Sequence, residues 1–157
     1  MLDVSVRMGI LNLMLELKRG LNLTCLFITH DLGVARYFCD RIAVMYHGRI
    51  VEVGETEALL NNPLHPYTKL LIDSVPGRGW NEQIEDEGGG DDIATEMAIA
   101  SSSAAAFVPG CSFNPRCPLA KNLCRVEVPE LVERKPDHLA ACHFPMLEPL
   151  PSSHAGA

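Results

Sequence analysis

Apolar residues recur at spacings of three and four near the start of the chain, at Ile10, Leu11, Met14, Leu15 and Leu17, and this period predicts an amphipathic helix. Asp3 is placed to cap it, Lys18 and Arg19 fall in its last turn, and Gly20 is its expected stop. The period then changes. Residues 23–28 read Leu-Thr-Cys-Leu-Phe-Ile, the short continuous apolar run that a buried parallel strand requires. Thr29, His30 and Asp31 follow at its carboxyl end, and Asp31 can cap a second helix reaching about Cys39. Residues 41–46 and 49–53 are strand-like runs separated by His47-Gly48, a two-residue hairpin signal. A short helix is expected over residues 55–60, before Pro63. His65-Pro66 opens another, in which Tyr67, Leu70 and Leu71 share one face.

Composition changes sharply at Trp80. Residues 81–92 hold Glu82, Glu85, Asp86, Glu87, Asp91 and Asp92 around three glycines, and the chain is then rich in Ala and Ser through Ala106. Such a stretch buries little, so residues 80–106 are expected to be a linker. Residues 107–146 carry four cysteines and little apolar surface, and residues 147–157 read as a loose tail.

Charge and length narrow the function classes. A net charge of −7 argues against a nucleic-acid binder, which would present a basic face. No run approaches the roughly 18 apolar residues of a membrane span. Asp3 stands where a secretory signal would be basic, and no small-residue cleavage site follows, so a reducing cytoplasmic setting is expected.

That setting bears on Cys111, Cys117, Cys124 and Cys142, spaced Cys-x5-Cys-x6-Cys-x17-Cys. Four soft thiolates close the shell of a zinc ion or an iron-sulfur cluster. Zinc knuckles usually have gaps of two to four residues, so the wider gaps favour the bulkier cluster. Zinc, with His143 as a further ligand, and free or disulfide-bonded thiols stay open as alternatives. Metal ligation would supply the stability that this segment's small core lacks. Cys25 and Cys39 lie in apolar stretches and are expected to act as small apolar side chains.

The carboxyl edge of a strand is where open α/β sheets place ligand chemistry, which makes His30 a candidate beside the plainer reading of a structural histidine. Phe27-Ile28-Thr29-His30-Asp31-Leu32-Gly33-Val34 resembles the switch-histidine segment of ATP-binding cassette (ABC) ATPases. Leu2-Asp3-Val4-Ser5-Val6 resembles the loop after their Walker B strand, and residues 40–50 resemble the hairpin that closes the same domain. Asn62-Pro63-Leu64-His65-Pro66-Tyr67-Thr68-Lys69-Leu70-Leu71, with a four-cysteine tail ending Ala141-Cys142-His143-Phe144-Pro145, looks like the C-terminal extension of the oligopeptide/dipeptide importer ATPases.

The resemblance implies an α/β fold: the C-terminal part of an ABC-type nucleotide-binding domain over residues 1–79, with a parallel strand, helices and a hairpin. A small irregular cysteine-rich segment over residues 107–146 would follow the linker. It further implies ATP with Mg2+ as cofactor, a [4Fe-4S] cluster on the four cysteines, and His30 hydrogen-bonding the γ-phosphate. Asp3 would be either the nucleotide-dimer-interface aspartate or only a cap. The implied partners are a second ABC ATPase subunit, membrane permeases and, indirectly, a peptide-binding protein, at the cytoplasmic face of the membrane. Asp31 is expected to be a cap rather than a catalyst; His47, His65 and His154 are expected to be surface or packing residues. The sequence departs from the family in holding no Gly-x4-Gly-Lys-Ser/Thr, no Leu-Ser-Gly-Gly-Gln signature and no Walker B carboxylates. It is therefore expected to be the back third of a longer subunit and inactive alone. The competing expectations are a free-standing iron-sulfur or zinc regulatory module, and a non-functional gene fragment.

Overall fold

The computed structural model describes residues 4–75 and 108–147. Asp3, His154, the expected linker over 80–106 and nearly all of the expected tail lie outside the described residues.

Helix α1, Val4–Gly20, forms where the three-four period predicts it and carries Lys18 and Arg19 in its last turn. It ends at Gly20, the expected stop, but another residue makes the left-handed turn. Asn22, not Gly20, takes the left-handed conformation (φ 49°). Leu23 N–H then reaches Lys18 O at 2.9 Å and Asn22 N–H reaches Arg19 O at 3.4 Å, the paired bonds of a Schellman stop. The packed face is also rotated from the expected one. Leu11 is buried and Met8, Leu15 and Lys18 are half-buried, whereas Ile10, Met14 and Leu17 are exposed. Lys18 explains part of this rotation, because its ammonium pairs with Asp40 and lies over the Phe38 ring, drawing that side of α1 inward.

The expected parallel strand over 23–28 is not formed. Leu26 is 92% and Ile28 88% exposed, and Cys25 is exposed with them. A parallel strand draws its hydrogen bonds from neighbouring strands, and the single sheet among the described residues is built elsewhere and is wholly antiparallel. Only Phe27 finds cover, 4.9 Å from the Phe38 ring.

Helix α2, Leu32–Phe38, begins as expected: Asp31 accepts from Val34 N–H at 3.1 Å and so satisfies an orphan donor of the first turn. Strands β1, Arg41–Tyr46, and β2, Arg49–Glu55, form the expected hairpin, with His47 (φ 46°) and Gly48 (φ 75°) both in the left-handed region that a tight two-residue turn demands. Strand β1 alternates cleanly, burying Ile42, Val44 and Tyr46. Strand β2 does not. A bulge opposite Val44 and Met45 makes Val51 an extra residue, and Val51 and Glu52 are consecutively buried. Helix α3, Thr56–Asn61, is capped by Glu55. Helix α4, Pro66–Asp73, has Pro66 in its first turn and His65 as cap. Its buried positions are Pro66, Thr68 and Ile72; Leu70 is exposed, and Tyr67 and Leu71 only flank the core.

The cysteine segment is more regular than expected. It contributes helix α5, Asn122–Val126, and a hairpin of β3, Val132–Lys135, with β4, His138–Ala140. Strand β4 pairs with β2, giving the order β1-β2-β4-β3. Phe113, 1% exposed, enters the core made by Ile42, Val44, Tyr46, Val51, Leu59 and Ile72, with its ring edge-on to Tyr46 at 5.2 Å. Burying such a ring contributes about 2–3 kcal/mol. The segment is thus covered by a core it shares with residues 35–72.

Candidate metal centre

The four cysteines, far apart in sequence, line one small cavity. Each is delivered by a different local device. Gly110 (φ 77°) turns the chain so that Cys111 N–H meets Cys124 O at 2.8 Å; a Cβ at Gly110 would lie 2.4 Å from that oxygen, so only glycine fits. Asn114 holds the next turn by donating from Nδ2 to Cys111 O at 2.8 Å and Pro109 O at 3.0 Å. Cys117 ends that turn, with its carbonyl accepting from Ala120 N–H. Cys124 sits on α5, and Cys142 follows β4, where its carbonyl accepts from Arg134 Nη2 at 2.8 Å.

Burial raises the Cys111 and Cys117 thiols above their ordinary value, with further elevation from neighbouring cysteines. Cys142 is pushed up to about 11, first by burial and then by Cys111, Cys117 and Cys124. Without a cation these groups are neutral thiols at pH 7; a bound cation would release their protons and convert mutual repulsion into ligation. Among the described residues no group of three or more His, Cys, Asp or Glu side chains is arranged to hold a metal ion.

Two histidines share this lining, His65 and His143. The Nε2 of His143 is 2.9 Å from Glu127 O, an acceptor-only group, so it donates there and leaves Nδ1 as its available nitrogen. His65 is 1% exposed and accepts at Nδ1 from Tyr67 N–H at 3.1 Å, capping α4. Burial holds its imidazole near 4, so it is neutral at pH 7. This is more than the surface or packing role expected of it. His47 does lie at the surface, stacked on Tyr46.

Beneath His65 lies a residue that sequence reasoning passed over. Glu52 is fully buried; its Oε1 accepts from Leu64 N–H at 2.6 Å and stands 2.7 Å from His138 Nε2, while Oε2 accepts from His65 N–H at 2.9 Å. With both oxygens accepting, His138 Nε2 is the donor of the third bond. One carboxylate thus fixes the entry to α4, strand β2 and strand β4, two residues before Cys142. The signal that could have found it is an acid set between two valines, Val51 and Val53, in the middle of strand Arg49–Glu55.

His30 stands apart from this arrangement. It is exposed, beside Asp31, and is not among the residues lining the cysteine cavity. Asp31 serves α2 and lies 3.6 Å from Arg7. Cys39 closes α2, and neither it nor Cys25 reaches the cavity.

Residues 51–124 match the family described as oligopeptide/dipeptide transporter, C-terminal region. Over that stretch, just under half of the chain, the sequence is that family's C-terminal region. It is 42% identical over 143 residues to the oligopeptide transport ATP-binding protein AppF of Bacillus subtilis, covering 91% of this chain and 42% of that protein. A Brucella ovis protein named for peptide import ATP binding is 40% identical over 141 residues, covering 90% of this chain and 42% of its own length. A Sinorhizobium fredii protein named as a peptide ABC transporter ATP-binding protein is 41% identical over 141 residues, again covering 90% of this chain and 40% of its own length. The chain therefore spans about two-fifths of the length of these relatives. The matched family region contains Glu52, His65 and three of the four cavity cysteines.

Proposed function

We propose that the chain is the C-terminal part of the ATP-binding, energy-coupling component of an ABC importer for peptides. The observation that carries this reading is the 42% identity to a peptide-transport ATP-binding protein over 91% of the chain. ATP with Mg2+ is bound by the complete subunit, a second ATPase subunit closes the nucleotide site, and permeases receive the motion at the cytoplasmic face of the membrane. No helix among the described residues is long and apolar enough to cross a membrane. In the complete subunit His30 offers its imidazole to the γ-phosphate, where one well-placed donor stabilises transferred charge, and Asp3 lies at the dimer interface. Its exposure leaves His30 open to such a contact. The test joins this chain to a polypeptide bearing the phosphate loop, signature and Walker B strand. His30→Ala should lower turnover at least about 100-fold, with nucleotide binding retained. Unchanged turnover would reject the role of His30; no turnover in the parent assembly would reject the importer reading.

The cavity supports a second element of the same reading, a [4Fe-4S] cluster held by Cys111, Cys117, Cys124 and Cys142. Four thiols on one cavity are a donor set that either a cluster or a zinc ion takes, and the wide gaps between the cysteines in the sequence make zinc the weaker alternative. A bound cluster would supply structural cross-linking of α5, β4 and the Gly110 turn, which is what a small segment with little core of its own needs. Iron, sulfide and zinc analysis of anaerobically prepared variants decides it. Ala at any of the four positions should lose iron, while Cys25→Ala and Cys39→Ala should keep it. Equal losses at Cys25 and Cys111, or protein free of iron and sulfide, would refute the cluster.

A further inference from the structure

We propose that residues 4–28 are an interaction surface for the rest of an ATP-binding subunit, which packs on a bare apolar stripe of α1 and adds parallel strands beside residues 23–28. This rests on the reading of the chain as part of such a subunit and goes beyond it, because it names the surface and the mode of joining.

Helix α1 is apolar on two sides. Leu11 packs inward with half-buried Met8 and Leu15. Val6, Ile10, Leu13 and Leu17 are 46–56% exposed and, at about 100° per residue, fall within about 60° of one another on a different face. A helix that serves one core carries one such stripe, so a second stripe needs a second packed layer. Residues 23–28 make the same demand in another form. Their apolar run is continuous, the pattern of a parallel strand covered on both faces, whereas β1 alternates as a half-buried strand does. Phe27 has the Phe38 ring at 4.9 Å, but its neighbours Leu26 and Ile28 are almost wholly exposed. Among the described residues no backbone–backbone hydrogen bond reaches residues 24–28, which leaves their donors and acceptors open to flanking strands. The occupant follows from length. The match to AppF takes in 91% of this chain but 42% of that protein, so more than half of a subunit of this kind is available to supply the strands and the layer. A second copy of this chain is a poorer occupant, because it brings the same unpaired run without flanking strands, and its charge of −7 repels its like.

The test compares the chain alone with the chain joined to a polypeptide bearing the phosphate loop, signature and Walker B strand. Amide exchange over residues 24–28 should be at least about 100-fold slower in the joined protein. Leu26→Asp and Leu13→Asp alter positions exposed in the chain alone. Each should leave the urea midpoint of the chain alone unchanged and lower that of the joined protein by about 1 M, since joining buries the new charge. Met45→Asp, exposed but outside this surface, should act equally on both proteins. Fast exchange at residues 24–28 in the joined protein, or equal effects of Leu26→Asp and Leu13→Asp on the two proteins, would overturn the surface. A dimer of the chain alone that Leu26→Asp dissociates would assign the surface to a second copy and overturn the occupant. ATP turnover in the joined protein without slowed exchange fails this inference alone, whereas slowed exchange without turnover fails the importer reading and leaves the surface standing.

Discussion

Replacing Glu52 by Ala removes one carboxylate and strands three donors: Leu64 N–H at 2.6 Å, His65 N–H at 2.9 Å and His138 Nε2 at 2.7 Å. Glu52 is 0% and His138 3% exposed, so the donors do not simply turn to solvent. Each buried donor left unpaired costs about 1–3 kcal/mol, giving a nominal total of about 3–9 kcal/mol. Water entering the vacated space recovers part of this, and about 3–5 kcal/mol is expected, the scale seen when one partner of a buried polar pair is removed. Glu52→Gln keeps the shape but turns one oxygen into a donor. Its better orientation opposes the amide to His65 N–H alone and should cost about 1–3 kcal/mol. Urea unfolding followed by circular dichroism measures both, and the Ala variant should melt at least about 12 °C below the parent. A double-mutant cycle with His138→Ala should return a coupling above about 1 kcal/mol. Glu52→Ala within about 1 kcal/mol of the parent, or indistinguishable from Gln, would show that the carboxylate does not hold β2, β4 and α4 together.

Three further outcomes are expected. Burial holds His65 near 4, below the ordinary 6.5, so the unfolded chain takes that proton first; the resulting stability is complete above about pH 6.5 and lost as pH falls toward 4, by about 2 kcal/mol at pH 5. Urea midpoints of the metal-free parent should therefore drop more between pH 7 and 5 than those of His65→Asn, and equal slopes would refute the assignment. Gly110→Ala, with its Cβ 2.4 Å from Cys124 O and 2.7 Å from Arg125 C, should cost at least about 2 kcal/mol, against about 1 kcal/mol for Gly48→Ala, where the turn is strained but no atom lies within 4 Å. Similar losses in the two would show that α5 yields to the added methyl. Isothermal titration of the chain with Mg-ATP should find no site tighter than about 10 μM, roughly 7 kcal/mol, since the sequence holds no phosphate loop; a tighter site would contradict this.

The elements legible in the sequence are those specified by adjacent residues. Asp31 caps α2 three residues ahead, His47-Gly48 sets the β1–β2 turn, and His65-Pro66 opens α4. What escaped reading depends on distant partners. Strand β3 reads Val-Glu-Arg-Lys, with no alternation to announce it, and becomes a strand because β4 pairs with it on one side and with β2 on the other. Glu52 is buried next to a bulge and matched by His138, 86 residues on. The cysteine spacing marked four related residues, but their common cavity also required the Gly110 turn and Phe113 packed against both Tyr46 and Tyr67. His65 could be recognised as the residue before a helix-opening proline; its place on the cavity comes from that packing.

The unformed strand over 23–28 marks the opposite limit. An apolar run states a demand for burial and not where that demand is met. Within residues 35–72 and 108–147 much of the demand is met internally: Leu59, Leu64 and Phe113 are almost wholly buried, and the one fully buried acid has partners on both oxygens, although Met45 and Val126 stay exposed. Among residues 4–31 it is met at Leu11 and little elsewhere. Leu13, Leu17, Leu21 and Leu23 are about half exposed or more, and Leu26 and Ile28 almost wholly so. Apolar area of this kind forgoes about 25 cal/mol for each Å² left in water, and an extended run without neighbouring strands also leaves its backbone bonds to solvent. Local pattern at residues 23–28 specifies a strand only where other strands lie on both sides. The described sheet instead runs β1-β2-β4-β3 through the hairpins, so the run remains a strand in composition and an exposed segment in structure.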